Sequence, residues 1–353
     1  MKIVVIGQFD VEDFGFHIAE NLKAMGYEVV ACISFKEKKT PMMHKVNVLD
    51  KIKSYIKTSM LFASKDSRYK VLKPIFNKLS GIKCDLVICT YDYFLEGEVD
   101  NIRSMTGAKV VMWFPDHIGR IDRGVVLTAN YDALFYKEPY FVRELFNIYR
   151  INAFYLPEAF SKLQLTPTQP KSLHNLCDIL VIASLHSARV PILKMLIQYD
   201  LKLYGSQGPW WLDTSALQEF HTGKFLANHD KANAIQNAKI VLNTVFPTEI
   251  EGVNARTFEY AGAGGFQLME YKKALPDLFE IGKEVVTYKT IDEMIAKIDY
   301  YLQNDTERSE IALAGKIRAW KDHDYQKRLT RLINMTFKQA VTDDDRYDYR
   351  ILE

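Results

Sequence analysis

The sequence offers little for a metal or a redox centre. Its 353 residues hold only four cysteines, Cys32, Cys84, Cys89 and Cys177. None forms a CxxC pair, so no zinc site is expected. Cys84 and Cys89 fall in an apolar, strand-like run that suits buried free thiols, and a reduced, cytoplasmic setting is the simplest account. No GxGxxG occurs, which argues against NAD or FAD. No DxD is flanked as a metal motif: Asp343, Asp344 and Asp345 lie near the C-terminus, and Tyr91-Asp92-Tyr93 carries one acid. No apolar stretch approaches about 18 residues. The opening MKIVVIG runs straight into an apparent strand, leaving no room for a signal peptide. Net charge is small too: the value is +2 and no block of five like charges exists. Electrostatics therefore give no case for nucleic acid or a membrane as partner, and the acidic run near Asp344 reads as a solvated tail.

What is present is a large apolar fraction. Hydrophobic residues make up 48% of the chain, including 20 Tyr and 20 Phe, enough for two cores in a chain of two-domain length. Short Val/Ile-rich runs alternate with helix-length amphipathic segments. Residues 2–7, 27–35, 84–90, 109–114, 133–136 and 152–156 read as strands. A helix over 13–25 ends at Gly26, a C-cap glycine. Residues 36–81 are basic and helical, with no clear division. Continuous apolar strands between helices imply a parallel sheet covered on both faces, wound by right-handed crossovers.

From residue 161 the pattern stops at Thr166-Pro167-Thr168-Gln169-Pro170, chemistry that suits a linker. A second cycle then begins. Residues 178–184, 201–204, 239–243, 265–269 and 285–288 read as strands; 190–199, 230–238, 254–263 and 291–302 read as helices. The expected organisation is a first α/β domain over 1–160, a linker over 161–175, a second α/β domain over 176–322, and a C-terminal segment 323–353 whose helix packs back on the first domain before the acidic tail.

The most informative stretch is TVFPTEIEGVNARTFEYAGAGGFQLME, residues 244–270. Asn254 is placed to cap a helix by accepting an orphan N–H of its first turn. Such a helix start carries free amides and partial positive charge, so it suits a pyrophosphate. Arg256 falls in that first turn and offers fixed-geometry donors to phosphate oxygens. Arg256, Glu259, Tyr260 and Ala263 share one face, expected to look into a cleft, while Phe258, Ala261 and Gly262 pack on the sheet. A carboxylate at Glu259 is placed to accept ribose hydroxyls. The plain alternative is an i,i+3 surface ion pair between Arg256 and Glu259, stabilising by about 0.2–0.5 kcal/mol. The clustered glycines at 262, 264 and 265 favour the ligand reading, because glycine in a helix is costly unless a backbone must come close.

These residues resemble a known family. Glu251 and Glu259 are spaced like the E-x7-E element of retaining GT-B glycosyltransferases. NARTFEYAGAGGFQL, Leu278-Phe279, Gly282-Lys283-Glu284, Tyr288 and the later YYLQND with Glu307-Arg308 are similar to CgeB-like spore-maturation glycosyltransferases. The resemblance implies a GT-B architecture, two Rossmann-like doubly wound parallel-sheet domains facing a cleft. It implies that Glu259 binds the ribose, that Arg256 and the amides near Asn254 hold the diphosphate, and that Glu251 lies near the donor sugar. Family patterns often have Asp-Gly where this chain has Glu251-Gly252. Arg189, after the first strand of the second domain, is either a diphosphate contact or a surface arginine at a helix start. Gly205, at a strand end where ligands collect in open sheets, opens a loop with Trp210 and Trp211 that either receives a base or simply packs.

In the first domain His17 is either a general base toward the acceptor or a structural helix-face histidine. Asp116, in the turn Trp113-Phe114-Pro115-Asp116-His117, either faces the acceptor or caps the turn. The expected function is metal-independent transfer of a sugar from a nucleoside-diphosphate sugar to an unidentified acceptor, with retention favoured by Glu251. The nucleotide sugar is a substrate, and no cofactor is called for. The rival readings are a nucleotide-sugar epimerase on the same scaffold and a non-catalytic spore-surface assembly protein.

Overall fold

The six apolar runs of residues 1–160 all become strands of one sheet. The computed structural model describes residues 1–33, 48–91, 93–117, 119, 124–170 and 176–350. The end of the expected second strand (34–35), the start of the basic stretch (36–47), Asp92 and residues 171–175 of the expected linker lie outside the described residues. The chain divides into two units. One comprises Met1–Leu156 with Arg328–Glu353, the other Pro157–Lys327.

Unit 1 begins with β1 (Lys2–Gly7), α1 (Phe14–Ala24) and β2 (Glu28–Ile33). The undivided basic stretch resolves into α2 (Val48–Ala63) and α3 (Lys65–Leu79), separated where Ser64 turns its hydroxyl back to accept from the amide of Ser67 at 3.1 Å. Then come β3 (Leu86–Cys89), α4 (Glu96–Thr106), β4 (Lys109–Phe114), β5 (Ala133–Tyr136), α5 (Pro139–Asn147) and β6 (Ala153–Tyr155). All pairs are parallel, in the order β2-β1-β3-β4-β5-β6. Trp113, Phe135, Tyr136 and Phe154 fill the core. No glycine fingerprint stands after β1, yet the same close approach is made by two separated glycines. A Cβ on Gly7 would lie 2.7 Å from Thr90 Oγ1, and one on Gly15 would lie 2.6 Å from the Gln8 carbonyl oxygen.

Unit 2 runs β7 (Ile179–Ile182), α6 (Arg189–Lys194), β8 (Leu201–Tyr204), α7 (Asn228–Asn237), β9 (Ile240–Asn243), α8 (Ala255–Gly262), β10 (Gln267–Glu270), α9 (Leu275–Leu278), β11 (Val286–Tyr288), α10 (Ile291–Gln303) and α11 (Asp305–Asp322). Its sheet is parallel in the order β11-β10-β9-β7-β8. One core cluster joins Val181, Leu203, Leu242 and Leu268 of the sheet to Val190 of α6 and Met294 and Ile298 of α10. Residues 161–170 lie along this unit: Leu165 is buried, and the amide of Thr168 donates to Asn233 Oδ1 at 3.1 Å.

The glycines at and just after the end of α8 have a packing reason that differs from the expected one. A Cβ on Gly262 would stand 2.5 Å from the Phe160 ring, and one on Gly265 would stand 2.5 Å from Ile235 Cγ2. The close approach is made by protein side chains, not by a ligand. The face expected to be open is also partly closed. Tyr260 is fully buried, and its hydroxyl donates to the Ile182 carbonyl at 3.1 Å. Phe258, expected on the sheet, packs instead against Phe279 and His323, and Gly262 packs against Phe160. It is Tyr260 that reaches the sheet, at β7, because the polar tip of a tyrosine is satisfied across a core as readily as at a surface.

The chain ends with α12 (Tyr325–Phe337) and α13 (Asp343–Tyr347). The acidic residues read as a solvated tail are a capped helix instead. The Asp345 amide donates to Thr342 Oγ1 at 3.2 Å, and the Thr342 amide donates to Asp345 Oδ2 at 2.7 Å. Carboxylates in a first turn complement the helix dipole, which is why an acidic run closes into helix here. Arg346 packs α13 on β6, its Nη1 donating to Asn152 Oδ1 at 2.9 Å and to the Ala153 carbonyl at 3.2 Å. Among the described residues no helix is long and apolar enough to cross a membrane.

Candidate functional site

In unit 2 the chain turns outward in both directions from the β7–β9 pair: β8 lies beyond β7, while β10 and β11 lie beyond β9. The carboxyl ends of β7 and β9 therefore flank a topological switch point, the place where open α/β sheets collect ligands. The loop after β7 leads to Arg189, and the segment after β9 leads through Thr244 to α8.

Two arginines meet there. Arg189 is 3% exposed. Its Nε donates to Thr244 Oγ1 at 2.6 Å, its Nη2 to the Thr244 carbonyl at 3.1 Å, and its Nη1 to the Ser184 carbonyl. Arg256, half-buried, donates from Nη2 to the same Thr244 carbonyl at 3.3 Å. Among the described residues no carboxylate pairs with either guanidinium. Burial and then the neighbouring charge of Arg256 push the pKa of Arg189 down, to about 9. Two cations converging on one carbonyl, one of them sealed from water, is a costly arrangement that an anion would relieve.

Asn254 caps α8 as the sequence requires, its Oδ1 accepting from the Thr257 amide at 3.3 Å. That side chain is otherwise committed inward. Asn243 Nδ2 donates to Asn254 Oδ1 at 3.0 Å, to Thr257 Oγ1 at 3.2 Å and to Gln267 Oε1 at 3.1 Å, while Asn254 Nδ2 donates to Asn243 Oδ1 at 3.0 Å. What this turn can offer an anion is backbone: the amides of Ala255 and Arg256 precede the first intrahelical bond. Asn254→Ala should therefore act on stability. Loss of the cap and of a partner for the buried Asn243 oxygen should cost about 2 kcal/mol, read by urea unfolding. An unchanged midpoint would mean that the side chain serves something other than the fold.

Glu259 is buried, and its Oε1 lies 3.0 Å from Lys231 Nζ of α7. The surface pair with Arg256 does not form; Lys231 is the partner, which sequence spacing gave no means of finding. Glu251, in the turn before α8, lies 2.9 Å from Lys273 Nζ, and its carbonyl accepts from the Ala274 amide at 3.0 Å. Gly205 ends β8 at φ +124°, and a Cβ there would stand 2.6 Å from the Ala183 carbonyl oxygen. It brings the loop after β8 onto the loop that holds Arg189. Trp210 and Trp211 further along that loop are exposed.

His17 and Asp116 belong to unit 1. His17 is buried on α1, its ring edge-on to Phe16 at 5.7 Å. Asp116 follows β4, and its Oδ1 accepts from the His117 amide at 3.0 Å. Asp116 and Asp13 both act on Tyr91, whose pKa is raised first by burial and then by those two carboxylates. This group stands where the carboxyl ends of β1, β3 and β4 meet.

Solved structures with the same arrangement of strands and helices fix the fold. Sucrose-phosphate synthase from Thermosynechococcus elongatus superimposes with a TM-score of 0.63 at 10% identity, over 95% of this chain and 98% of that one. The chain has the GT-B fold. Another GT-B neighbour is Anabaena Alr3699/HepE, solved with UDP and glucose, at a TM-score of 0.63 and 12% identity over 95% of this chain and 98% of that one. An alpha-glucosyltransferase solved with UDP-glucose and DNA containing an abasic site scores 0.61 at 10% identity, over 96% and 100%. Residues 189–334 match the family model described as "Glycosyl transferase-like". That match begins at Arg189 and spans α8 entirely. No curated protein matches the chain in sequence.

Proposed function

We propose that the chain transfers a sugar from a nucleoside-diphosphate sugar to an acceptor, with the diphosphate held at the switch point of unit 2. The observation that carries this reading is the pair Arg189 and Arg256 beside the start of α8, two converging guanidiniums that pair with no carboxylate among the described residues. In this reading the leaving diphosphate gains charge as the glycosidic bond breaks. Fixed donors stabilise that charge without having to reorganise. Two arginines and the Ala255 and Arg256 amides supply the electrostatic stabilisation, so the proposed reaction is metal-independent.

Glu259, steadied by Lys231, accepts the ribose hydroxyls. Glu251 lies near the donor sugar, and retention of configuration is the outcome its carboxylate favours. Asp116 and His17 are the acceptor-side groups of unit 1. The uridine nucleotides bound by HepE and by the alpha-glucosyltransferase make UDP the first donor base to try.

A thermal-shift series with UDP, GDP and dTDP tests the reading. A ligand that binds only the folded chain adds about 2.7 kcal/mol at a hundred times its Kd. For units of this size that corresponds to a rise of roughly 5–10 °C in midpoint. UDP should give the largest rise. No shift with any of the three would remove the nucleotide from the reading.

A further inference from the structure

Tyr288 closes β11 and is 4% exposed. Its hydroxyl is sealed from solvent and, among the described residues, has no hydrogen-bond partner. The backbone is well used: the Tyr288 carbonyl accepts from the Tyr271 amide at 2.9 Å, and the residue sits opposite Glu270 in the ladder. The side chain lies on the sheet face that packs against Met294 and Ile298 of α10, the face that also carries Val190 of α6. Tyr288 is the last residue of β11, at the carboxyl end of the sheet, and the charged groups that act on its phenol are Glu270 and Arg189.

Glu270 is already engaged, its Oε1 3.0 Å from Lys272 Nζ. Arg189 is not fully used. A guanidinium has five N–H donors, and among the described residues Arg189 spends one on each of three protein oxygens, which leaves two. An unpaired buried hydroxyl is retained against a desolvation cost. Donors without acceptors, gathered at the carboxyl ends of parallel strands, await an acceptor-only group.

We propose that Tyr288 donates its hydroxyl proton to a phosphate oxygen of the anion bound by Arg189 and Arg256, making it a third side-chain donor of that site. The inference rests on the diphosphate reading and adds a residue to it. Burial, reinforced by Glu270, keeps the phenol protonated throughout the neutral range, so it acts as a donor there.

Tyr288→Phe tests this with two readouts of opposite sense. The variant without ligand should melt at the same temperature as the parent or higher, because it loses a hydroxyl that has no protein partner. Its Kd for UDP, and equally for inorganic pyrophosphate, should rise about tenfold by calorimetry. The same factor for both probes would locate the contact on phosphate. Unchanged affinity for both would overturn the inference, as would a lower melting point without ligand, which would reveal a partner within the protein. If the parent chain bound neither probe, the anion site itself would fall and this inference with it.

Discussion

Arg256→Ala should lower turnover about 100- to 1,000-fold and leave the fold intact. Removing one fixed donor from a site where charge develops typically costs that much in kcat. The structure explains why stability should be spared. Among the described residues Arg256 makes one hydrogen bond, to a carbonyl that Arg189 also serves, and pairs with no carboxylate. Nothing charged is orphaned when it goes, and the buried Arg189 loses a repelling neighbour. The measurement is UDP release from the nucleotide sugar that gives the largest thermal shift, alongside the melting midpoint without ligand. Arg256→Lys should recover only part of the rate, since an ammonium keeps the charge and loses the planar fork. Parental turnover in the alanine variant would reject the site assignment. A collapsed midpoint would show that Arg256 serves the fold instead.

The second large effect is on stability. Gly205→Ala should lower the melting midpoint by roughly 4–24 °C. The residue sits at φ +124°, and an added Cβ would press on a backbone carbonyl that cannot rotate away. Strain at such a φ costs about 1–3 kcal/mol, and a clash in a packed region adds about 1–3 kcal/mol. In a domain of this size each kcal/mol is worth about 2–4 °C. Gly97→Ala is the control. That glycine lies inside α4 with nothing within 4 Å of its would-be Cβ, so alanine there should be neutral or stabilising by up to about 1 kcal/mol. Equal effects at the two positions would rule out the close packing of the loops after β7 and β8.

Local signals in the sequence carried much of this architecture. The runs at 2–7, 109–114 and 133–136 coincide with β1, β4 and β5, because a strand buried on both faces is a plain apolar run, and the run at 201–204 coincides with the edge strand β8, whose residues alternate between buried and half-buried. Asn254 read as a cap and is one, since its preference is set within three residues. Long-range features were not legible. Arg189 and Arg256 gain meaning only when the loop after β7 and the start of α8 share the Thr244 carbonyl, a juxtaposition made by strand order. Lys231 was an ordinary helical lysine until the fold set it against Glu259. Tyr288 stood out in the sequence only as the end of a strand and part of the family resemblance, and no pattern marks a hydroxyl that lacks a partner. The glycines at and just after the end of α8 misdirected the reading because a missing Cβ looks the same whether Phe160 or a ligand fills the space.

Unit 2 is one continuous segment, whereas unit 1 is assembled from both ends of the chain. On the ribosome, the intervening segment takes on the order of 10–30 s to synthesise at about 5–20 residues per second. Throughout that interval β6 is the edge of a finished six-stranded sheet without its cover, because Arg346 and α13 have yet to emerge. An uncovered edge invites pairing with another nascent chain. The unit that is begun first is therefore completed only after the other has been made.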